Sequence, residues 1–255
     1  MNVLVALRLV PDVSGEIEIT EDEKDIDREW LDLRLNEFDD YALEEAILLK
    51  ERGDAKVTAI AIAGDGVERM LQSALARGAD EAVKIAWEGD APPSSRTAAR
   101  LFAAGARDLS ADLVLTGVLS SEETYGQLAP FVAAALDWPC VSSVNEVRVR
   151  AGVCEVVQEL SGGATATIRM ATPAVAGMQT ASRPVRYVSG SKLREAAGRN
   201  IPTLQLSVEA ADERAERLRV SLPDSSQRAN LLPSDVNAAA AALRQILTEH
   251  GLWKA

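Results

Sequence analysis

The chain is 255 residues long, with 27 Lys and Arg set against 39 Asp and Glu, a formal charge of −12 and 47% hydrophobic residues. So acidic a surface repels nucleic acid, and no apolar run approaches the roughly 18 residues of a membrane span, so neither a nucleic-acid partner nor a membrane span is expected. Two cysteines and a single histidine argue against a disulfide scaffold, a His/Cys zinc centre and a histidine-based hydrolase.

The opening Met1–Leu7 reads as a strand and not as a secretory leader, which predicts a cytoplasmic protein. Strand-like runs follow at Lys56–Ala63, Glu81–Ile85 and Asp112–Val118, each apolar enough for burial on both faces. Helical patterns fall between them at Asp39–Arg52, Val67–Arg77, Arg96–Leu109 and Glu123–Leu136. Gly53 and Gly78 lie where two of these helices should stop, and Gly105 lies inside the third. This alternation predicts an α/β fold, a doubly wound and mostly parallel sheet of the adenine-nucleotide-binding type.

After Pro139 the pattern changes to an antiparallel annex. Ser143–Val149, Val153–Glu159 and Ala164–Met170 alternate as strands, joined by turns at Arg150-Ala151-Gly152 and Ser161-Gly162-Gly163. Thr172–Met178 is a further buried strand. Beyond Ser182 the chain is polar and turn-rich, residues 222–235 read as a linker, and Val236–His250 closes as an amphipathic helix. The expected division is a nucleotide-binding domain over 1–190 and an extended tail over 191–255 that wraps a partner.

Ligands of open parallel sheets bind outside the carboxyl ends of the strands, where strand order reverses. The loop from Gly117 to Pro130 leaves a strand and enters a helix. Its Ser and Thr hydroxyls and helix-start amides suit a phosphate, and Glu122 or Glu123 suits ribose hydroxyls. The same residues also begin any solvated helix. Asn36 with Asp39 resembles a capping box at the head of the first helix, with Phe38 either stapling that helix or facing a flat ligand. Ser161-Gly162-Gly163 is followed by a strand pattern, so it is a hairpin turn rather than a phosphate loop. No dinucleotide fingerprint or P-loop occurs. The acidic Glu16–Asp32 stretch reads as a solvated excursion with a hairpin. Arg183, Arg186, Lys192, Arg194 and Arg199 form either a solvated loop or a docking surface.

On these residues the sequence resembles the β subunit of electron transfer flavoproteins. The resemblance rests on Val3-Leu4-Val5-Ala6, on Asn36–Ala46 with its Glu44-Glu45-Ala46, and on Leu75–Asp80. It continues through the strand-loop-helix from Gly117 to Trp138-Pro139, Glu159–Gly163, Pro173–Val175 and Val185-Arg186-Tyr187. The Gly-Val-Leu-Ser-Ser form at 117–121 is most similar to the branch that serves amine dehydrogenases. The resemblance implies a non-catalytic subunit of a heterodimeric electron carrier. A larger alpha subunit would hold FAD, a flavin-dependent dehydrogenase would supply electrons, and AMP would be bound here structurally. It also assigns the AMP contacts: Ala6, Asn36, Glu37, Phe38, Asp39, Ile62, and then Gly117, Val118, Leu119, Ser120, Ser121, Glu122, Glu123, Thr124, Tyr125, Gly126, Gln127 and Leu128. Phe38 would lie near the flavin edge. Two departures stand out: Leu128-Ala129 where many members have Thr-Gly, and Gly190 where the recognition loop usually presents Leu. The rival reading is a free-standing adenine-nucleotide sensor of the universal-stress type, whose chains run to roughly half to two thirds of this length.

Overall fold

The computed structural model describes residues 1–53, 55–89, 92–150, 152–209, 217–222, 229 and 231–253. The chain divides into two compact units, Met1–Ile17 with Asp27–Glu216, and Glu18–Ile26 with Arg217–Ala255.

In the first unit the elements run β1 (Asn2–Ala6), β2 (Leu9–Pro11), β3 (Leu33–Leu35), α1 (Glu37–Glu51), β4 (Lys56–Ile62), α2 (Val67–Arg77), β5 (Glu81–Ile85), α3 (Ser95–Asp108), β6 (Leu113–Gly117) and α4 (Leu128–Leu136). They continue as β7 (Cys140–Arg150), β8 (Val153–Glu159), β9 (Thr165–Ala171), β10 (Ala174–Met178), α5 (Gly190–Ala196) and β11 (Thr203–Leu204). Among the described residues nine strands form one sheet in the order β11-β5-β4-β1-β6-β10-β7-β8-β9. It is parallel from β11 to β7 and antiparallel through β8 and β9. The chain lays β4 on one side of β1 and later returns to lay β6 on the other, so strand order reverses between β1 and β6. That is the crevice where ligands of such sheets bind.

The period of two along each strand divides the core. Val3, Val5 and Leu7 face one hydrophobic cluster with α1 and α2, while Leu4 and Ala6 face a second with α3 and α4. Both faces being covered explains why the strands read as continuous apolar runs. Gly105 inside α3 has a packing reason: a Cβ there would sit 2.6 Å from Ile60 Cδ1, so the glycine lets the helix lie close on β4.

Several expectations are corrected. The helix expected from Glu123 begins only at Leu128. Ser120 and Glu123 instead close a tight turn, the Glu123 N–H donating to Ser120 Oγ at 3.1 Å, and Gly126 then takes φ +64°. The capping box at Asn36 and Asp39 does not form: Asn36 makes no side-chain cap, and both side chains bond elsewhere. The antiparallel pair of three-residue strands β2 and β3 was not anticipated, and the helix α5 and β11 lie in the stretch beyond Ser182 read as polar and turn-rich. The Ser161–Gly163 turn is as expected, a single 3-10 turn between β8 and β9. In the turn expected at 150–152, Ala151 lies outside the described residues, as do 223–228 and 230 of the expected linker. Residue 190, the expected boundary, falls inside the first unit.

In the second unit, Ile19 and Ile26 form an antiparallel bridge. Val220 N–H donates to Glu23 O at 2.7 Å, and Arg217 and Arg219 pair with Asp25 and Glu23. Helix α6 (Val236–Glu249) is capped by Asp235, whose Oδ2 accepts the Ala238 N–H at 2.8 Å, and it buries none of its residues. Among the described residues no helix is long and apolar enough to cross a membrane, and no group of His, Cys, Asp or Glu is arranged to hold a metal ion.

Candidate functional site

The crevice is built around Asp39. Its placement in the first turn of α1 follows from a helix that starts immediately after the β3 edge, and its carboxylate is fully buried. Asp39 Oδ2 accepts the Arg8 N–H and Nε–H, each at 2.9 Å, and Oδ1 accepts Arg8 Nη2 at 2.7 Å and the Gly117 N–H at 2.9 Å. One carboxylate thus joins the carboxyl ends of β1 and β6 to the head of α1. Burial works against the Arg8 charge, but Asp39, with Glu123 and Glu122 farther off, outweighs it and raises the guanidinium pKa. Leu119 O accepts Asn36 Nδ2 at 2.9 Å and Arg8 Nη2 at 3.3 Å, which pins the start of the loop beyond β6.

Gly117 is required by this approach. A Cβ there would overlap Asp39 Oδ1 and lie 2.6 Å from Phe38 Cβ and 2.7 Å from the Asp39 backbone nitrogen. Phe38 is half-buried and stands edge-on to Tyr41, ring centroids 6.4 Å apart. Tyr41 donates its hydroxyl to Glu37 at 2.9 Å, a bond that raises the phenol pKa and turns Glu37 along the helix.

Past the Ser120–Glu123 turn the loop changes character. Ser121, Thr124, Tyr125 and Gln127 are exposed, and Glu122 is drawn to Arg28, Nη2 to Oε1 2.5 Å. Gly126 turns the chain back so closely that a Cβ would lie 3.1 Å from Val118 O. Helix α4 then starts with no side-chain cap and no acidic residue in its first turn. Its first N–H groups, on Leu128 and Ala129, have no helical acceptor, as at any helix start, and such groups can receive an anion. The side chains of Leu128 and Ala129 are buried in the second core cluster, so replacing Thr-Gly removes a hydroxyl but keeps the amides. Ala6 and Ile62 belong to that same side of the sheet.

The structure therefore brings together Asn36, Phe38, Asp39, Gly117 and Leu119, and leaves Ser121, Thr124 and Tyr125 on an outer flap. The outer flap offers exposed hydroxyls and the start of α4 offers amides, groups that suit an anion, while Ala6 is fully covered within the core and Ile62 partly so. Arg8 and Arg28 are the additions that sequence reasoning missed. Arg8 is a single charge directly after a run of fully buried strand residues, a signal that marks the carboxyl end of a central strand.

Two signature segments prove to be structural. Glu45, fully buried, accepts the Val147 N–H at 3.0 Å and the Ser182 N–H at 2.8 Å. Glu44 pairs with Arg186 at 2.9 Å and with Arg77 at 3.5 Å. Hydrogen bonds to Glu51 and Glu44 raise the Arg186 pKa, and through them this arginine holds its segment against α1. Arg183, Lys192, Arg194 and Arg199 stay exposed, and Tyr187 is 92% exposed beside them.

Comparison with known proteins agrees with this architecture. The profile of a family described as the electron transfer flavoprotein domain matches residues 25–209. The chain is 30% identical to an electron transfer flavoprotein subunit beta of Methylophilus methylotrophus over 262 residues, covering 98% of each chain. It is 28% identical to the protein of the same name from Bacillus subtilis (strain 168) over 97% of each chain. The human protein of that name is 26% identical, across 89% of this chain and 90% of its own length. A nucleotide-type sheet whose signature carboxylates serve as internal clamps, matched along nearly its whole length by these relatives, belongs to the electron transfer flavoprotein family, among its beta subunits.

Proposed function

We propose that the chain is one half of a heterodimeric electron carrier, that it holds AMP structurally in the crevice between β1 and β6, and that a larger alpha subunit holds FAD. The observation that carries the AMP reading is the start of α4, with free N–H groups, no side-chain cap and no acidic first turn, at the point where strand order reverses. The phosphate would rest on the amides of Leu128 and Ala129 with the hydroxyls of Ser121 and Thr124. Adenine would lie against the apolar side formed by Ala6 and Ile62. Asn36, Asp39 and Arg8 would hold the loop in place rather than touch the phosphate, since Asn36 Nδ2, both Asp39 oxygens and Arg8 Nε and Nη2 already have partners.

FAD, when bound to the alpha subunit, supplies the redox chemistry. The role of this chain is to bind, to orient and to cover. Phe38, half-buried at the head of α1, would meet the flavin edge. The unpartnered apolar side chains of α6, Leu243 and Ile246 at 47% and 42% exposure, would wrap the alpha subunit. Electrons would come from a flavin-dependent dehydrogenase, an amine dehydrogenase on the strength of the Gly117–Ser121 form. Its docking site would be the exposed segment around Tyr187, with Leu193 taking over from the glycine at 190.

Co-expression with the neighbouring genes tests the reading. A yellow complex with a larger second chain, releasing FAD and AMP on denaturation, is the expected result. A colourless lone chain that releases only ATP or AMP would overturn it. Within the complex, replacing Ser121 and Thr124 by Leu should reduce the AMP content; an unchanged content would reject the phosphate assignment.

A further inference from the structure

The loop over the crevice is fastened at two places of different kind. Its root is held by buried groups: Asp39 on the Gly117 N–H, and Asn36 and Arg8 on Leu119 O. Its outer half, from Ser121 to Gly126, carries the exposed hydroxyls and is fastened from far away in the chain. Arg28 Nη2 donates to Glu122 Oε1 at 2.5 Å across 94 positions of sequence. Both side chains are mostly covered, 35% and 25% exposed, so the pair is screened less than one standing in open water.

The charge of Glu122 gives this contact a purpose. A carboxylate on the flap, close in sequence to a helix start that receives an anion, opposes that anion by Coulomb repulsion. Arg28 neutralises the carboxylate and at the same time draws it toward the covering excursion. We infer that Arg28 is a positioning residue for nucleotide retention: through Glu122 it holds the outer flap closed and cancels a negative charge beside the phosphate. This rests on the AMP reading above, and it removes Glu122 from the ribose, the role expected of it from sequence.

The test uses the co-purified heterodimer in three forms, wild type, Arg28→Gln, and the charge swap Arg28→Glu with Glu122→Arg. Two quantities are read: the rate at which bound AMP exchanges for labelled AMP, and amide hydrogen exchange across residues 119–127. Arg28→Gln should release AMP about three- to tenfold faster and speed amide exchange in 121–126, while leaving 117–119 unchanged. High salt should bring the wild type toward the variant. The charge swap should restore slow release, which a direct contact of Glu122 with ribose would not allow. AMP release and amide exchange both unaltered in Arg28→Gln would overturn the inference. A wild-type complex without AMP would instead reject the nucleotide reading. In that case amide exchange alone decides whether Arg28 closes the flap, unchanged exchange in the variant rejecting it.

Discussion

At Asp39 a single carboxylate accepts from the backbone and side chain of Arg8 and from the Gly117 N–H, with no solvent exposure to soften a loss. Asp39→Asn keeps the shape but turns an amide donor toward a guanidinium. Leaving that cation without its counter-charge should lower unfolding free energy by about 3 kcal/mol, measured from urea midpoints at constant slope. Gly117→Ala meets backbone as well as side chain, so relaxation by a rotamer change is closed to it. It should cost about 1–3 kcal/mol in the same assay and reduce the AMP content of the complex. An alanine variant with native stability would mean that α1 and β6 can separate without strain.

Between elements, the joints are also carboxylates, and one of them titrates informatively. Asp80, at the end of the segment that follows α2, accepts Lys50 Nζ at 2.6 Å and the Val57 N–H at 2.8 Å, tying the last turn of α1 to β4 and β5. Burial pushes its pKa up, but Lys50 and the Val57 amide together outweigh this and depress it below the usual 3.8. A depressed carboxylate contributes stability above its unfolded pKa and loses it as pH falls through the lower folded value. Asp80→Asn should therefore cost about 1–2 kcal/mol at neutral pH, a difference that holds down to about pH 5 and closes below about pH 4. A difference independent of pH would remove the charge from the account. The long elements were legible because strands covered on both faces leave continuous apolar runs, and α2 and β5 fall where their patterns begin and end. The hairpin β2–β3 and β11 have too few residues to show a period. The start of α4 was misread because Ser120-Ser121-Glu122-Glu123 resembles a helix cap, when it folds as a turn that Gly126 ends. The Asn36–Asp39 segment was found, but its bonds reach 31 and 78 positions away, and no local pattern encodes such partners.

For the molecule as a whole, the tail offers the clearest separation of stability from assembly. Leu243 and Ile246 on α6 are already exposed, so Leu243→Glu with Ile246→Glu should move the urea midpoint of the isolated chain by no more than about 0.5 kcal/mol. The same pair should weaken the heterodimer about a hundredfold, read by analytical ultracentrifugation. Undiminished association would assign the partner surface elsewhere. The clamp at Asp39 also has a bearing on how the chain reaches its native state. It joins β1, α1 and β6, and β6 is reached only after two intervening βα units, so its closure pays the loop entropy of a long chain segment late in folding. A nucleotide held on that crevice, as proposed above, would bind the finished sheet and not its precursors, and so would stabilise the native state by mass action. The cellular level of free AMP would then set how much of the newly made chain stands ready to assemble.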